Sequence, residues 1–364
     1  MFEIIRNIIL LLLLLTIIVS LHELGHLIAA KAFGVYCSEY SIGMGPKLYE
    51  KKFKETAFCI RAFPIGGFVA MAGDDNETGG TEDLDLPIER TMQGIAKWKR
   101  IIIMLAGIIM NILLAIFIYS MIIFSNGQYA TDPKPIISEI MEEYPAFESN
   151  LKVGDIITEV KFDNGAILKP DSYSEISVFS SSYYDGVGPW HMEILRENES
   201  VNIDVMPTYN EEEQRYVIGI VFSNEAQEII DINFFNCFKY GFLYTLFVLK
   251  NVVLALVSLF KGIGLDHLSG PVGMYSVVSE SVEYGFEYYI QIVALVSANI
   301  AMFNAIPLPI FDGGRVILLF IEVLIGRPIN KKVEEYIMSA CVVILIMLMI
   351  FTTSNDIYKL IGRP

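Results

Sequence analysis

The chain has 364 residues, 54% of them hydrophobic and only 19% charged, with a mean hydropathy of +0.50 and a formal net charge of −16. So low a charged fraction excludes an ordinary soluble domain, in which about a quarter of residues are charged. So acidic a chain excludes a nucleic-acid binder, because contact with phosphates needs a basic surface.

Residues 4–30 are the first apolar helix candidate, long enough for roughly 30 Å of hydrocarbon. Its charged start and the apolar run 8–19 resemble a signal peptide. No small-residue cleavage site follows, so the segment is read as a retained helix. Residues 31–100 carry ten Lys or Arg and include 73–85, an acidic stretch that reads as a solvated loop. A second span runs from about 101 to 124. Residues 131–225 differ: short β-prone runs at 136–141, 155–162, 201–206 and 216–222 alternate with turn residues, predicting a small strand-rich soluble domain. The apolar segment 238–260 carries Lys239 and Lys250 and can either span or lie in the interface. A third span near 287–320 is interrupted by Pro307, Pro309 and Gly313-Gly314; a fourth covers about 335–352. Cys37, Cys59, Cys237 and Cys341 form no CxxC pair and read as free thiols. His191 and His267, outside any motif, read as solvent-facing or structural.

Charge places the loops. Lys31 and then Lys97, Lys99 and Arg100 flank the first loop, and Arg327, Lys331 and Lys332 lie between the last two spans. Residues 126–236 hold six basic residues against about twenty acids. The positive-inside rule puts the two basic loops in the cytoplasm and the strand-rich domain outside.

His22-Glu23-Leu24-Gly25-His26 is an HExxH motif. Histidines at i and i+4 share one helical face, so both imidazoles can reach one metal. Zinc suits nitrogen ligands in tetrahedral geometry. Glu23, about 100° round the helix from His22, can reach a water at the metal without being a ligand and serve as general base. The chain has four histidines, and two are in this motif. A charged residue near the middle of a membrane helix costs about 2.5–3.5 kcal/mol on insertion scales, a burden rarely carried without function. A catalytic zinc needs a third protein ligand and an open position. At membrane depth the candidate is Asp312, in the run from Asn304 through Pro307 and Pro309 to Gly313-Gly314. An ionisable residue amid prolines and glycines predicts a broken helix lining a polar cavity.

The two motifs, HELGH in the first span and NAIPLPIFDGG in the third, resemble the site-2 protease family of intramembrane metalloproteases, in its bacterial RseP-like branch. The resemblance extends over nearly the whole chain. Gly66-Gly67-Phe68-Val69-Ala70-Met71 looks like the family's membrane re-entrant β-hairpin, Trp98 to Asn111 like the start of its second span, and Leu268-Ser269-Gly270-Pro271-Val272-Gly273 like the segment before its third. The family usually has Gly-Pro-x-x-Asn in the second span; here Gly107-Ile108-Ile109-Met110-Asn111 lacks the proline, which predicts a straighter helix. Phe311 stands where leucine is usual. Tyr144-Pro145-Ala146 followed by the run from Leu151 through Gly154-Asp155 to Ile157 is similar to the PDZ pattern.

The resemblance implies an α-helical polytopic membrane protein with four transmembrane helices, a membrane re-entrant β-hairpin and an inserted extracytoplasmic PDZ-like α+β domain. The expected organisation is membrane core 1–125, PDZ-like domain 126–226, membrane-associated segment 227–286 and membrane core 287–364. It implies Zn2+ held by His22, His26 and Asp312, Glu23 as the catalytic glutamate, and Asn304 as a residue holding substrate. The implied location is a bacterial inner membrane, with HExxH near the cytoplasmic side. The expected partners are the lipid bilayer and single-pass membrane proteins trimmed beforehand by another protease, such as an anti-sigma factor or a remnant signal peptide; nucleic acid is not one. A substrate helix must unwind before attack, and an extended segment can be captured by main-chain pairing. The surfaces expected for that are the hairpin at Gly67, Phe68 and Val69 and the kinked segment at Asn304, Pro307 and Pro309. With Asp312 at the same metal as His22, an odd number of crossings must separate the outer domain from the last basic loop, so 238–260 is expected not to cross. Two other classes fit the sequence less well: a membrane metal transporter, which typically shows inverted repeats with paired broken helices, and an inactive PDZ scaffold, which would not need Glu23.

Overall fold

The structure, a computed structural model, describes residues 2–74, 86–131, 133–210, 215–223, 228–260, 268–327 and 329–361. Most of the acidic stretch 73–85, and His267, lie outside the described residues. In chain order the elements are α1 (Phe2–Ala32), β1 (Cys37–Phe53), β2 (Thr56–Met71), α2 (Lys97–Asn126), β3 (Gln128–Ala130), β4 (Ile137–Ile140), α3 (Pro145–Glu148), β5 (Ile156–Lys161), β6 (Ile167–Leu168), α4 (Tyr173–Tyr183), β7 (Trp190–Arg196), β8 (Glu199–Val205), β9 (Thr208–Asn210), β10 (Arg215–Val217), β11 (Ile220–Phe222), β12 (Ile229–Asp231), α5 (Asn236–Phe260), α6 (Pro271–Tyr284), α7 (Phe286–Ala305), α8 (Asp312–Ile325) and α9 (Lys331–Ile361). The chain divides into two compact units: Met1–Ile122 with Gly241–Leu249 and Ser269–Pro364, and Ile123–Tyr240 with Lys250–Leu268.

Among the described residues, five helices are long and apolar enough to cross a membrane: Phe2–Ala32, Lys97–Asn126, Asn236–Val257, Phe286–Ala305 and Lys332–Lys359. This is one more than the four spans expected. The addition is the segment 236–257, whose two lysines leave it a mean hydropathy of 1.8. The helix α2 runs unbroken past Gly107, as the absence of proline there requires. The third apolar segment is cut in two. α7 ends at Ala305 and α8 starts at Asp312, because Pro307 and Pro309 lack the N–H groups a continuing helix needs.

In the first unit, β1 and β2 pair twice. Tyr40 faces Val69 on one side and Phe58 on the other, and Ser41 likewise faces Phe68 and Cys59. The two long strands therefore build four short layers in the order 67–71, 37–42, 57–60, 49–53, with 67–71 at an edge. This edge is held by a core in which Leu27 and Ala30 of α1, Tyr40, Val69 and Met71 of the hairpin, and Ile103 and Met104 of α2 pack together. The Tyr40 hydroxyl donates to the Ser20 carbonyl at 2.8 Å, pinning the hairpin to α1 one turn from the HExxH motif. In the same unit, Asp356 of α9 caps α6. Its carboxylate accepts the Gly270 and Gly273 amides, each at 2.8 Å, satisfying donors that a helix N-terminus otherwise leaves unpaired.

The second unit has a four-stranded antiparallel sheet ordered β6-β5-β7-β8 and a β11-β4 pair. Its core stacks Phe162 on Phe179 at 4.9 Å between ring centroids, with Tyr184 and Trp190 against the same ring. The runs 136–141 and 155–162 contain β4 and β5, 201–206 overlaps β8, and 216–222 overlaps two strands, β10 and β11; α4 and β7 lie outside all four runs. Asp155 is buried and paired with Arg196 at 2.7 Å.

Candidate metal centre

The helical repeat of α1 puts His22 and His26 on one face, and both are buried. Their Nε2 atoms lie 3.1 Å apart. The carboxylate of Asp312, at the first position of α8, reaches both: Oδ2 is 3.0 Å from His22 Nε2 and 3.4 Å from His26 Nε2. Bonds of about 2.0–2.1 Å in tetrahedral geometry separate zinc ligands by roughly 3.3 Å, so this triangle fits zinc in both donor type and spacing. No other group of three His, Cys, Asp or Glu with metal-ligand spacing occurs among the described residues.

The far sides of both rings are held. His26 Nδ1 lies 2.8 Å from the Ile103 carbonyl, so that nitrogen is the donor and Nε2 is left free to ligate. His22 Nδ1 lies 3.4 Å from the side-chain amide of Asn111. Both contacts come from α2, which approaches closely because of two glycines. A Cβ on Gly25 would meet the Ala106 carbonyl oxygen at 2.4 Å, and one on Gly107 would lie 2.5 Å from His26 Nε2 and 2.7 Å from His22 Nε2. The break before α8 is packed in the same way: a Cβ on Gly313 would meet the Ala305 carbonyl oxygen at 2.4 Å, and one on Gly314 the Leu308 oxygen at 2.0 Å. These glycines let the first turn of α8 fold onto the broken segment and carry Asp312 to the imidazoles.

Glu23 lines a cavity of about 270 Å³ with the three candidate ligands, Phe68, Met71, Met104, Asn304 and Arg315. Gly67 stands nearby, since a Cβ there would come 3.6 Å from Glu23 Cγ. Val69 is fully buried in the core, which leaves only its main chain for a ligand. Pro307 and Pro309 do not line the cavity; Pro307 is exposed and Pro309 buried, and both shape the break instead. Sequence reasoning did not single out Asn111 as a partner of His22 or Arg315 as part of the cavity wall. Arg315 carried a usable signal, a second ionisable residue one turn after Asp312.

Two imidazoles and a carboxylate converge beside Glu23 with the spacing of metal ligands, in a polytopic membrane protein. Residues 10–348 match Peptidase family M50, and the chain belongs to that family, the site-2 proteases. It is similar to the "Regulator of sigma-W protease RasP" of Bacillus subtilis, with 29% identity over 94% of this chain and 96% of that protein. It is also 31% identical, over 96% of this chain and 97% of the relative, to a Clostridium acetobutylicum protein named as a zinc metalloprotease. A third relative so named, from Fusobacterium nucleatum, is 30% identical over 95% and 97%. The chain is a zinc metalloprotease, and its cofactor is Zn2+.

Proposed function

We propose that the protein hydrolyses a peptide bond within the transmembrane segment of single-pass membrane proteins, with His22, His26 and Asp312 holding zinc and Glu23 as general base. The observation that carries this is the convergence of three ligand atoms within 3.4 Å beside Glu23 in one cavity between apolar helices. Zinc bound there supplies Lewis acidity, polarising the scissile carbonyl and making water a stronger acid. Glu23 accepts the proton of the attacking water and passes it to the leaving amine. The edge strand 67–71 pairs with the main chain of an unwound substrate segment, and Asn304 and Phe68 contact it from the cavity wall. A polar wall of Glu23, Asn304 and Arg315 supports access of water to the site.

The location we propose is a bacterial inner membrane, with the centre near the cytoplasmic face and the strand-rich unit, a PDZ-like domain, outside. Asp312 beside His22 supports a parity argument. α7 must run inward from the outer side for its end to reach the cytoplasmic end of α1. α6, at 14 residues, is about 21 Å long and too short to span. The segment 236–260 therefore lies along the outer leaflet, and four helices cross. One relative's name links it to regulation of sigma-W, which favours a membrane-anchored regulator, such as an anti-sigma factor, as substrate.

The test is cleavage of a tagged single-pass substrate by the purified protein in detergent. Cleavage lost in Glu23→Gln and on zinc chelation supports the reading. Cleavage that persists in Glu23→Gln sinks the mechanism.

A further inference from the structure

We propose that Arg315 is a catalytic residue, donating hydrogen bonds to the oxyanion that forms on the attacked carbonyl; this rests on the proteolytic reading above. Arg315 follows Asp312 by three residues on α8, so the two share a helix face and open into the same cavity. A cation in a membrane-embedded segment is costly and persists where it is paired or has work to do. Its pairing here is loose. Nη1 lies 3.5 Å from Asp74 Oδ2, well beyond the 2.7–2.9 Å of a strong charge-assisted bond. Its Nε is buried and has no hydrogen-bond partner among the described residues. The side chain lines the same cavity as Glu23.

The cavity wall narrows the choice of donor. Its side chains that carry N–H groups are His22, His26, Asn304 and Arg315. The two imidazoles face Asp312 and are taken up as metal ligands, and Glu23 can only accept. Asn304 and Arg315 remain, and of these only Arg315 brings a positive charge to a negative oxygen. When water attacks, its oxygen bonds to the carbonyl carbon, the C=O π pair moves onto oxygen, and Glu23 takes the water's proton. On collapse the C–N bond breaks, and the amine nitrogen receives the proton from Glu23. Arg315 keeps its own protons throughout and acts only through hydrogen bonds and charge. A fixed donor of this kind stabilises the transition state more than the ground state, so its removal lowers kcat by about 10²–10³.

The experiment compares wild type, Arg315→Met, Arg315→Lys and Asp74→Asn as purified full-length proteins in detergent. It measures kcat and KM on a tagged single-pass substrate, bound zinc, and the affinity of a phosphinic peptide that mimics the tetrahedral oxyanion. The expected result for Arg315→Met is a kcat lower by about 100-fold or more, an unchanged KM and full zinc content, with analogue affinity falling in parallel. Arg315→Lys recovers part of this, since lysine keeps the charge but not the fork, and Asp74→Asn stays within threefold of wild type. An Arg315→Met kcat within threefold of wild type overturns the proposal. So does an equal loss in Asp74→Asn, or a loss accounted for by missing zinc, because each assigns Arg315 to holding the fold. Wild-type cleavage and its loss in Glu23→Gln report separately on the parent reading: an active wild type with an active Arg315→Met removes this inference alone.

Discussion

The side-chain amide of Asn111 faces His22 Nδ1 at 3.4 Å from a fully buried position on α2. With Nε2 directed at Asp312, Nδ1 must carry the ring proton for His22 to ligate a metal. The amide as placed turns Nδ2 towards Nδ1, and its oxygen has no hydrogen-bond partner among the described residues; turned end for end, the amide presents that oxygen to Nδ1 and satisfies both groups. Outer-shell partners of this kind contribute about 10–100-fold to metal affinity. Asn111→Ala is expected to weaken zinc binding by that factor in a chelator competition while the protein stays folded. Unchanged affinity would show that the Ile103 and Asp312 contacts orient the pair without it.

Gly107 is placed where no side chain fits. A methyl group there would lie 2.5–2.7 Å from both imidazoles, and the backbone behind it cannot retreat without moving α2. Gly107→Ala is expected to cost about 1–3 kcal/mol of stability through overpacking and to displace the ligands. Zinc analysis of the purified variant checks this: full occupancy with normal cleavage contradicts the expectation.

The outer-leaflet placement of 236–260 can be read by labelling. Phe235 and Val257 are exposed near opposite ends of that segment, whereas the four native cysteines are buried. Single cysteines at both positions should react with a membrane-impermeant maleimide from the outer side. Labelling of Val257→Cys only after permeabilisation means that the helix crosses.

Asp356 holds the start of α6 through two amides, and Gly270 and Gly273 leave it room, since a Cβ on either would stand 2.9 Å from its carboxylate oxygens. Asp356→Ala should cost about 0.5–2 kcal/mol, the range for loss of a helix cap, seen as a lower Tm in detergent. An unchanged Tm would mean that water replaces the cap.

In the strand-rich unit, Asp163 and Asp204 accept from the two ring nitrogens of His191 at 2.9 and 2.7 Å, and together they raise its pKa above the usual value. A raised histidine pKa adds stability that is complete below the unfolded value of about 6.5 and is lost as pH rises through the folded value. The cluster is solvent-screened, so its worth is below about 1 kcal/mol. The stability difference between wild type and His191→Gln should be largest at pH 6 and shrink towards pH 9; a gap that widens with pH contradicts the assignment.

Much of the site was legible because its key relationships are local. Residues at i and i+4 share a helix face whatever surrounds them, so His22 and His26 could be paired from spacing alone. Asp312 stood out as an acid among helix breakers in an apolar segment. In the strand-rich unit β7 is readable as well, since Trp190, Met192 and Ile194 alternate inward. α4 was not readable: its serine-rich sequence has a weak apolar face, and its helix is held by packing of Ile176 and Phe179 into the core.

The sequence by itself determined the apolar spans, the broken third segment and the identities of the metal-ligand candidates, because hydropathy, periodicity and the missing N–H of proline act over a few residues. Only the tertiary structure decided that Asn111 stands behind His22, that Gly107 gives way to both imidazoles, and that Arg315 shares a wall with Glu23. Each of these depends on how α2 and α8 pack against α1, and a helix carries no local record of which neighbour its faces will meet.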